Sequence, residues 1–319
     1  MAKPKIGLYW CSSCGGCEEA VVDLAEDILN VTNAVDIVFW PVAMDFKYED
    51  VEKLADGELA AVLINGAVRM DEQEQIARLL RRKSKLVIAN GSCAHLGGVV
   101  GLGNFYSSSE LLDYAYKKVP SVRNIQAILP SKLSGSPDNE LELSSLYNTV
   151  KALDQVIEVD YYIPGCPPTP ELVLKAVTAL LQGQLPPRGT VLAEKKALCD
   201  TCPRRDSKPE KITQAKFKRV YEIDIDPDKC FLDQGLICIG PVTRGGCSGR
   251  CIKGNMPCRG CFGPLDGVID QGTKFISMIA SSISSDDPEE IKQIIEDIPD
   301  PAGLFYRYNL AVSQLRGKK

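Results

Sequence analysis

KIGLYWCSSCGGCEEAVVDLAEDIL, Lys5–Leu29, runs from an apolar strand to a helix through a loop of cysteines, serines and glycines. Lys5–Trp10 is a short apolar run. Glu18–Leu29 carries Val21, Val22, Leu24, Ala25, Ile28 and Leu29 at helical spacing and predicts a helix. The alternation repeats downstream. Val35–Trp40, Leu59–Ile64, Lys85–Ala89 and Val156–Ile163 read as strands. Tyr48–Ala55, Asp71–Arg82, Tyr106–Lys118, Glu142–Ala152 and Glu171–Gln182 read as helices. Strand–helix alternation of this kind predicts an α/β fold built on a parallel sheet.

The regularity stops at Gln184–Arg188, so the expected domains are 1–187 and 188–319. From there to about Pro264 the chain is rich in Cys, Gly, Pro and charge. It has too little apolar surface to fold without a staple. Pro288–Ile298, with Ile291, Ile294, Ile295 and Ile298 on one face, reads as a helix docked on the body. A length of 319 residues suits two domains. With 45% hydrophobic and 25% charged residues the chain can bury a full core. A net charge of −5 argues against a nucleic-acid partner, which calls for a basic balance. No apolar run approaches the roughly 18 residues that span a bilayer. The N-terminal MAKPKIGLYW enters a strand with no signal-peptide core, so the expectation is a cytoplasmic protein with no membrane span.

Thirteen cysteines stand beside a single histidine. In a reducing compartment such cysteines read as metal ligands or redox groups rather than disulfides. One histidine argues against His-rich zinc, copper or non-haem iron chemistry. The cysteines form two populations. Cys11, Cys14, Cys17, Cys93 and Cys166 are scattered through the α/β half; Cys199, Cys202, Cys230, Cys238, Cys247, Cys251, Cys258 and Cys261 crowd together. Cys14 and Cys17 follow the first strand, Cys93 the fourth and Cys166 a later one. All four are expected on loops at the carboxyl edge of the sheet, where ligands bind. Neighbouring glycines (Gly15, Gly16, Gly91, Gly165) let the backbone approach inorganic sulfide closely. Four thiolates so placed suit a cubane cluster. A lone buried cysteine is often only a small apolar residue, and a redox dithiol at Cys14 and Cys17 would leave Cys93 and Cys166 without a role. The crowded eight make two groups of four. Cys199-x2-Cys202 and Cys258-x2-Cys261 bracket zinc as readily as iron–sulfur sites. The intervening spacings of 27, 7, 8, 3 and 6 residues repeat neither a zinc ribbon nor the C-x2-C-x2-C-x3-C run. Two clusters, zinc, or mixed use all stay open on spacing.

CGGCE (Cys14–Glu18), GSCAHLGG (Gly91–Gly98) and PGCPPTPE (Pro164–Glu171) together resemble the small subunit of [NiFe] hydrogenases. The related cluster-bearing subunit of respiratory complex I shares this core. CFLDQGLICIGPVTRGGCSGRCIKGNMPCRGCFGP (Cys230–Pro264) resembles more narrowly the gamma subunit of cytoplasmic methyl-viologen-reducing (deazaflavin-non-reducing) hydrogenases. The resemblance covers nearly the whole chain. It implies a flavodoxin-like domain holding a proximal [4Fe–4S] cluster on Cys14, Cys17, Cys93 and Cys166, then an irregular, iron–sulfur-stapled domain. By chain order, Cys247, Cys251, Cys258 and Cys261 take the medial [4Fe–4S] cluster, and Cys199, Cys202, Cys230 and Cys238 the distal one. Membrane-bound relatives carry His where this chain has Cys199, and Pro where it has Cys251; the latter implies a four-iron rather than three-iron medial cluster. Cys11 and the Ser12–Ser13 pair depart from the pattern, and Cys11 is expected to be a buried thiol.

The function so implied is an electron-transfer small subunit. Electrons from hydrogen oxidation in a [NiFe] hydrogenase-type large subunit would pass through three [4Fe–4S] clusters to acceptors, a small iron–sulfur delta-type subunit and a heterodisulfide-reductase-like flavin subunit. The paired Cys-x-x-Cys motifs near each terminus that hold nickel in large subunits are lacking, so no residue here is expected to be catalytic. The competing reading is a cluster-bearing subunit of a nickel-free, complex-I-like oxidoreductase, and a weaker third is a zinc-stapled adaptor. His95 reads as a proton shuttle or a structural imidazole. Glu18 and Glu19 read as proton relays or ordinary first-turn acids. Arg244, Arg250, Lys253 and Arg259 read as cations beside an anionic cluster or as solvated charge.

Overall fold

The structure, a computed structural model, describes residues 3–136 and 139–316. In chain order the strands are β1 (Lys5–Trp10), β2 (Asp36–Phe39), β3 (Ala61–Asn65), β4 (Val68–Met70), β5 (Val87–Asn90), β6 (Leu133–Ser136), β7 (Asn139–Glu142), β8 (Leu146–Lys151), β9 (Tyr161–Ile163) and β10 (Thr190–Val191). Six of them form one sheet in the order β10-β9-β5-β3-β1-β2, and every pairing within it is parallel. Counted among themselves, the parallel strands follow the flavodoxin-like 2-1-3-4-5 order with a sixth at the far edge. The order reverses between β1 and β3, which opens a crevice at their carboxyl ends.

The helices of this part are α1 (Gly16–Val22), α2 (Asp27–Ala34), α3 (Tyr48–Glu52), α4 (Asp71–Lys83), α5 (Gly91–Leu96), α6 (Ser108–Asp113) and α7 (Pro170–Leu181). Strand side chains alternate between two buried layers. Val62, Ile64, Val87 and Ala89 pack under α4 through Ile76, Ala77, Leu79 and Leu80. Ile6, Leu8, Ala61, Leu63 and Ile88 pack on the other face with Val21, Val31, Leu172 and Val173 from α1, α2 and α7. Burial on both faces explains why these strands read as near-continuous apolar runs. Thr169 caps α7, its hydroxyl accepting from the Leu172 N–H at 3.3 Å, with Pro170 at the first helical position.

Two expected helices differ. Glu18–Leu29 is two helices, α1 and α2, broken at Ala25 with φ of 51°. No Gly or Pro marks that break, so it is imposed by packing: Leu24 and Val31 are both buried while Val22 and Leu29 face solvent. The expected helix Glu142–Ala152 is instead the end of β7 followed by β8, which pairs antiparallel with β4. Its apolar spacing mimicked a helix, but the tertiary partner decides. Buried Asn104 fixes the strand, accepting from the Val150 N–H at 2.6 Å and donating to its carbonyl at 3.0 Å. Asn104→Ala leaves both groups of Val150 unpaired and should cost about 2–4 kcal/mol, read as a lower urea midpoint with an unchanged slope.

The sheet takes its last strand, β10, from beyond residue 187. The chain then has little regular structure until α8 (Arg250–Lys253), α9 (Gln271–Ala280), α10 (Pro288–Glu296) and α11 (Pro301–Phe305). α10 buries Ile294, and Ile298 just past its end is buried too, while Ile295 stays exposed. A separate small core holds Leu198, Phe231, Leu232, Leu236 and Ile252 together with Cys238 and Cys258. Cysteines are thus part of the packing that this segment does have. Phe262, with Cys247 and Cys261, seats the segment against the layer that carries α7.

Candidate functional site: three adjoining cysteine groups

At the carboxyl end of β1 the chain turns Cys11 into the core and carries exposed Cys14 and buried Cys17 to the crevice. Cys11 is buried among Phe39, Val62, Ile64 and Val68, and burial pushes its thiol up to about 12. It is the buried thiol the sequence predicts. Gly15 adopts a left-handed conformation that starts α1, so Cys17 lies in the first turn, where the amide ends favour a negative sulfur.

Cys93 is on α5, directly after β5, rather than on a loop. Gly91, which opens that helix, has φ of 86°, and a side chain there would collide with the Cys17 sulfur. The glycine is required for the two segments to meet. The Ser92 N–H donates to the Gly165 carbonyl at 2.7 Å, which ties α5 to the turn bearing Cys166. The four sulfurs sense one another. Burial first, then Cys93, Cys166 and Cys14, holds the Cys17 thiol far above its usual range. Burial, then Cys166 and Cys14, pushes Cys93 up to about 12. Cys17 and Cys93 are buried, whereas Cys14 and Cys166 are exposed, so the group opens to the surface on their side.

The crowded cysteines separate into two cavities. One, of about 260 Å³, is lined by Cys247, Cys251, Cys258 and Cys261, together with Cys166 and Tyr308. A smaller one is lined by Cys199, Cys202, Cys230 and Cys238 within apolar walls of Leu198, Phe231 and Ile252. The groups adjoin. Cys261 is raised to about 12 by burial and then by Cys166. Gly240 lies where a methyl group would touch the sulfurs of Cys199 and Cys238 at 3.5 and 3.6 Å and Cβ of Cys258 at 3.9 Å.

The donor sets fit iron–sulfur clusters on chemistry: four thiols each, with backbone N–H groups aimed at sulfur. The Gly260 N–H donates to Cys258 Sγ and the Arg204 N–H to Cys202 Sγ, each at 3.4 Å. Among the described residues, no group of three or more His, Cys, Asp or Glu is drawn to the spacing of a single ion. Bound metal deprotonates its thiols outright, so loading sites whose thiols are raised by burial releases protons and is favoured as pH rises.

Other expected residues divide clearly. Glu18 is buried, its carboxylate accepting from the Trp40 indole and the Asn65 amide. Burial raises its pKa against the opposing pull of those two bonds. Glu19 is exposed. His95 lies 4.7 Å from the Tyr162 ring, and burial, then Arg244, drives its imidazole down to about 3. Arg244 is buried and paired with Asp266, Arg250 reaches Glu171 at 2.8 Å on the surface, Lys253 is exposed, and Arg259 lines the cavity of Cys247–Cys261. The sequence reading missed Arg204. It lies 3.9 Å over the Phe231 ring and donates to the carbonyls of Asp226 and Lys229 at 3.0 and 2.9 Å, bracing the Cys202–Cys230 segment. Nothing local in CPRR signals that role.

The family described as NADH ubiquinone oxidoreductase, 20 Kd subunit, matches residues 14–180. The F420-non-reducing hydrogenase iron-sulfur subunit of Archaeoglobus profundus is 38% identical, with 98% of each chain covered. An F420-non-reducing hydrogenase subunit of Methanothermobacter thermautotrophicus is 37% identical, over 97% of this chain and 94% of that one. Among solved structures, the [NiFeSe] hydrogenase of Desulfovibrio vulgaris Hildenborough has a chain of the same fold, with a TM-score of 0.54 at 18% identity, covering 84% of this chain and 95% of that one.

Proposed function

This chain belongs to the family described as NADH ubiquinone oxidoreductase, 20 Kd subunit, and is a hydrogenase subunit within it; from that premise we propose that it carries electrons away from hydrogen oxidised in a [NiFe]-type large subunit. Cys14, Cys17, Cys93 and Cys166 hold the proximal [4Fe–4S] cluster in domain 1–187. Cys247, Cys251, Cys258 and Cys261 hold the medial one, and Cys199, Cys202, Cys230 and Cys238 the distal one, in domain 188–319. Each bound cluster supplies one-electron redox chemistry at a potential set by its surroundings.

The observation that carries this reading is the adjacency of the groups. Cys166 shares a cavity with Cys261, and Gly240 joins Cys258 to Cys238 and Cys199. The protein's own contribution is spacing, exclusion of water by Phe231, Leu198 and Ile252, and N–H donors that stabilise the charged sulfurs.

A partner surface is available. Between Tyr106 and Leu143 large apolar side chains stand exposed, Ile125 at 84% and Leu141 at 69% among them. A partner that covered them would bury apolar area. The partners are the large subunit, a small iron–sulfur delta-type subunit and a heterodisulfide-reductase-like flavin subunit, all in the cytoplasm; no helix among the described residues is long and apolar enough to cross a membrane. Metal analysis of the native complex tests the reading. About 12 iron atoms should be found per copy of this chain, four at each site. Two zinc atoms with about four irons would overturn the medial and distal assignments.

A further inference from the structure

Outside the cysteine groups, Lys218, Arg219, Arg259 and Arg307 line one open pocket of about 300 Å³. Among the described residues, none of the four makes an ion pair. The acid in the same lining, Asp300, accepts from the Gly303 N–H at 3.0 Å, capping α11. In a chain of net charge −5 this is a local concentration of unpaired positive charge. An anionic cluster in the Cys247–Cys261 cavity would compensate Arg259, but Lys218, Arg219 and half-buried Arg307 line only this pocket among those described, and holding like charges together is unfavourable unless an anion compensates them.

The walls indicate the kind of anion. Phosphate sites are commonly built from backbone N–H groups at a helix start. Here the one helix start at the pocket, that of α11, begins with Pro301, which has no N–H, and its Gly303 N–H is taken by Asp300; Pro257 and Pro299 in the lining have none to give either. Val220, Leu236 and Leu304 make the rest apolar, and Tyr221 at the rim is 74% exposed. Carboxylate side chains carried on an apolar segment satisfy both the charge and the walls. Arg259 also lines the cavity of Cys247, Cys251, Cys258 and Cys261, so the pocket lies just outside that group.

We propose that this pocket is the docking point for an acidic, apolar-flanked segment of the downstream protein that takes electrons from this chain. The anionic character rests on the pocket alone; the redox identity of the occupant rests on the relay reading above.

The test uses the full-length, iron-loaded chain and a fluorescent 12-residue peptide of alternating Glu and Leu. The peptide should bind, its affinity should fall steeply with NaCl, and Lys218→Glu with Arg307→Glu should weaken it at least about tenfold. In the native complex the peptide should slow electron delivery to the downstream protein and leave reduction of a small neutral dye unchanged. Unchanged affinity in the double variant, salt-independent binding, or displacement by inorganic phosphate at matched ionic strength would each overturn the proposal. If charge reversal costs the chain its iron, Lys218→Gln with Arg307→Gln gives the reading, and unchanged affinity there overturns the proposal equally. A chain that binds the peptide but holds no iron defeats the relay reading and leaves the anion site standing.

Discussion

Cys93→Ser should remove the proximal cluster and lower hydrogen-dependent reduction of any downstream acceptor by at least about a hundredfold, a loss of about 2.7 kcal/mol or more in the rate-limiting free energy. Cys93 is buried on α5, its sulfur set against Gly98 so closely that no side chain could stand there. A serine oxygen in that place keeps the volume but is a harder and far less acidic ligand than a thiolate. The medial and distal groups take no ligand from α5, so iron should fall from about 12 to about 8 per chain rather than to zero. Cys11→Ser is the internal control. That side chain lies in the layer beneath α4, and the Cys11 N–H donates to the Asn65 carbonyl at 2.8 Å whichever side chain is present. Burying a hydroxyl there should cost about 1–3 kcal/mol of stability while leaving the iron count and the proximal EPR signal intact. If Cys11→Ser loses that signal and Cys14→Ser keeps it, the ligand set has been drawn wrongly.

The parts of the fold that read correctly from sequence are those decided by local pattern. Lys5–Trp10 is a strand within its predicted bounds, and Asp71–Lys83 a helix within one residue, because their apolar periods are long and their ends are marked. That Cys14, Cys17, Cys93 and Cys166 lie near one another was legible for a related reason. A parallel sheet brings the ends of its strands together, so residues following β1, β5 and β9 must share an edge. What depends on distant partners was not legible. β8 is a strand because β4 and Asn104 are there to receive it. Glu18 looked like a first-turn acid, yet Trp40 and Asn65 close around it from the ends of two other strands. The cationic pocket draws on residues 218–219, 259 and 307, segments that no spacing rule connects.

Cys251→Pro should convert the medial site from four irons to three without unfolding its surroundings. Cys251 is exposed in the first turn of α8, after Gly249. A first-turn amide has no carbonyl four residues back within its helix, so a residue without N–H forfeits no helical bond there. The Cys251 carbonyl, which accepts from the Met256 N–H at 2.9 Å, is unaffected by the change. Cys247, Cys258 and Cys261 remain to hold three corners; Cys258 and Cys261 are additionally fixed by the Ile239 N–H to Cys258 carbonyl bond at 3.0 Å and by packing beside Phe262. The variant should show the EPR signal of an oxidised three-iron cluster, with about one iron fewer per chain. A less negative core sits at higher potential, and each ~59 mV of rise shifts the one-electron equilibrium about tenfold toward the medial site. Electrons would then gather there, and transfer to low-potential acceptors should fall while reduction of high-potential dyes persists. Cys251→Ala separates ligand loss from any effect of proline on α8 and should give the same spectrum. Unchanged EPR in both variants would remove Cys251 from the medial set. The missing ligand would then have to come from Cys238 or Cys230, which line the neighbouring cavity, and the distal grouping would fall with it.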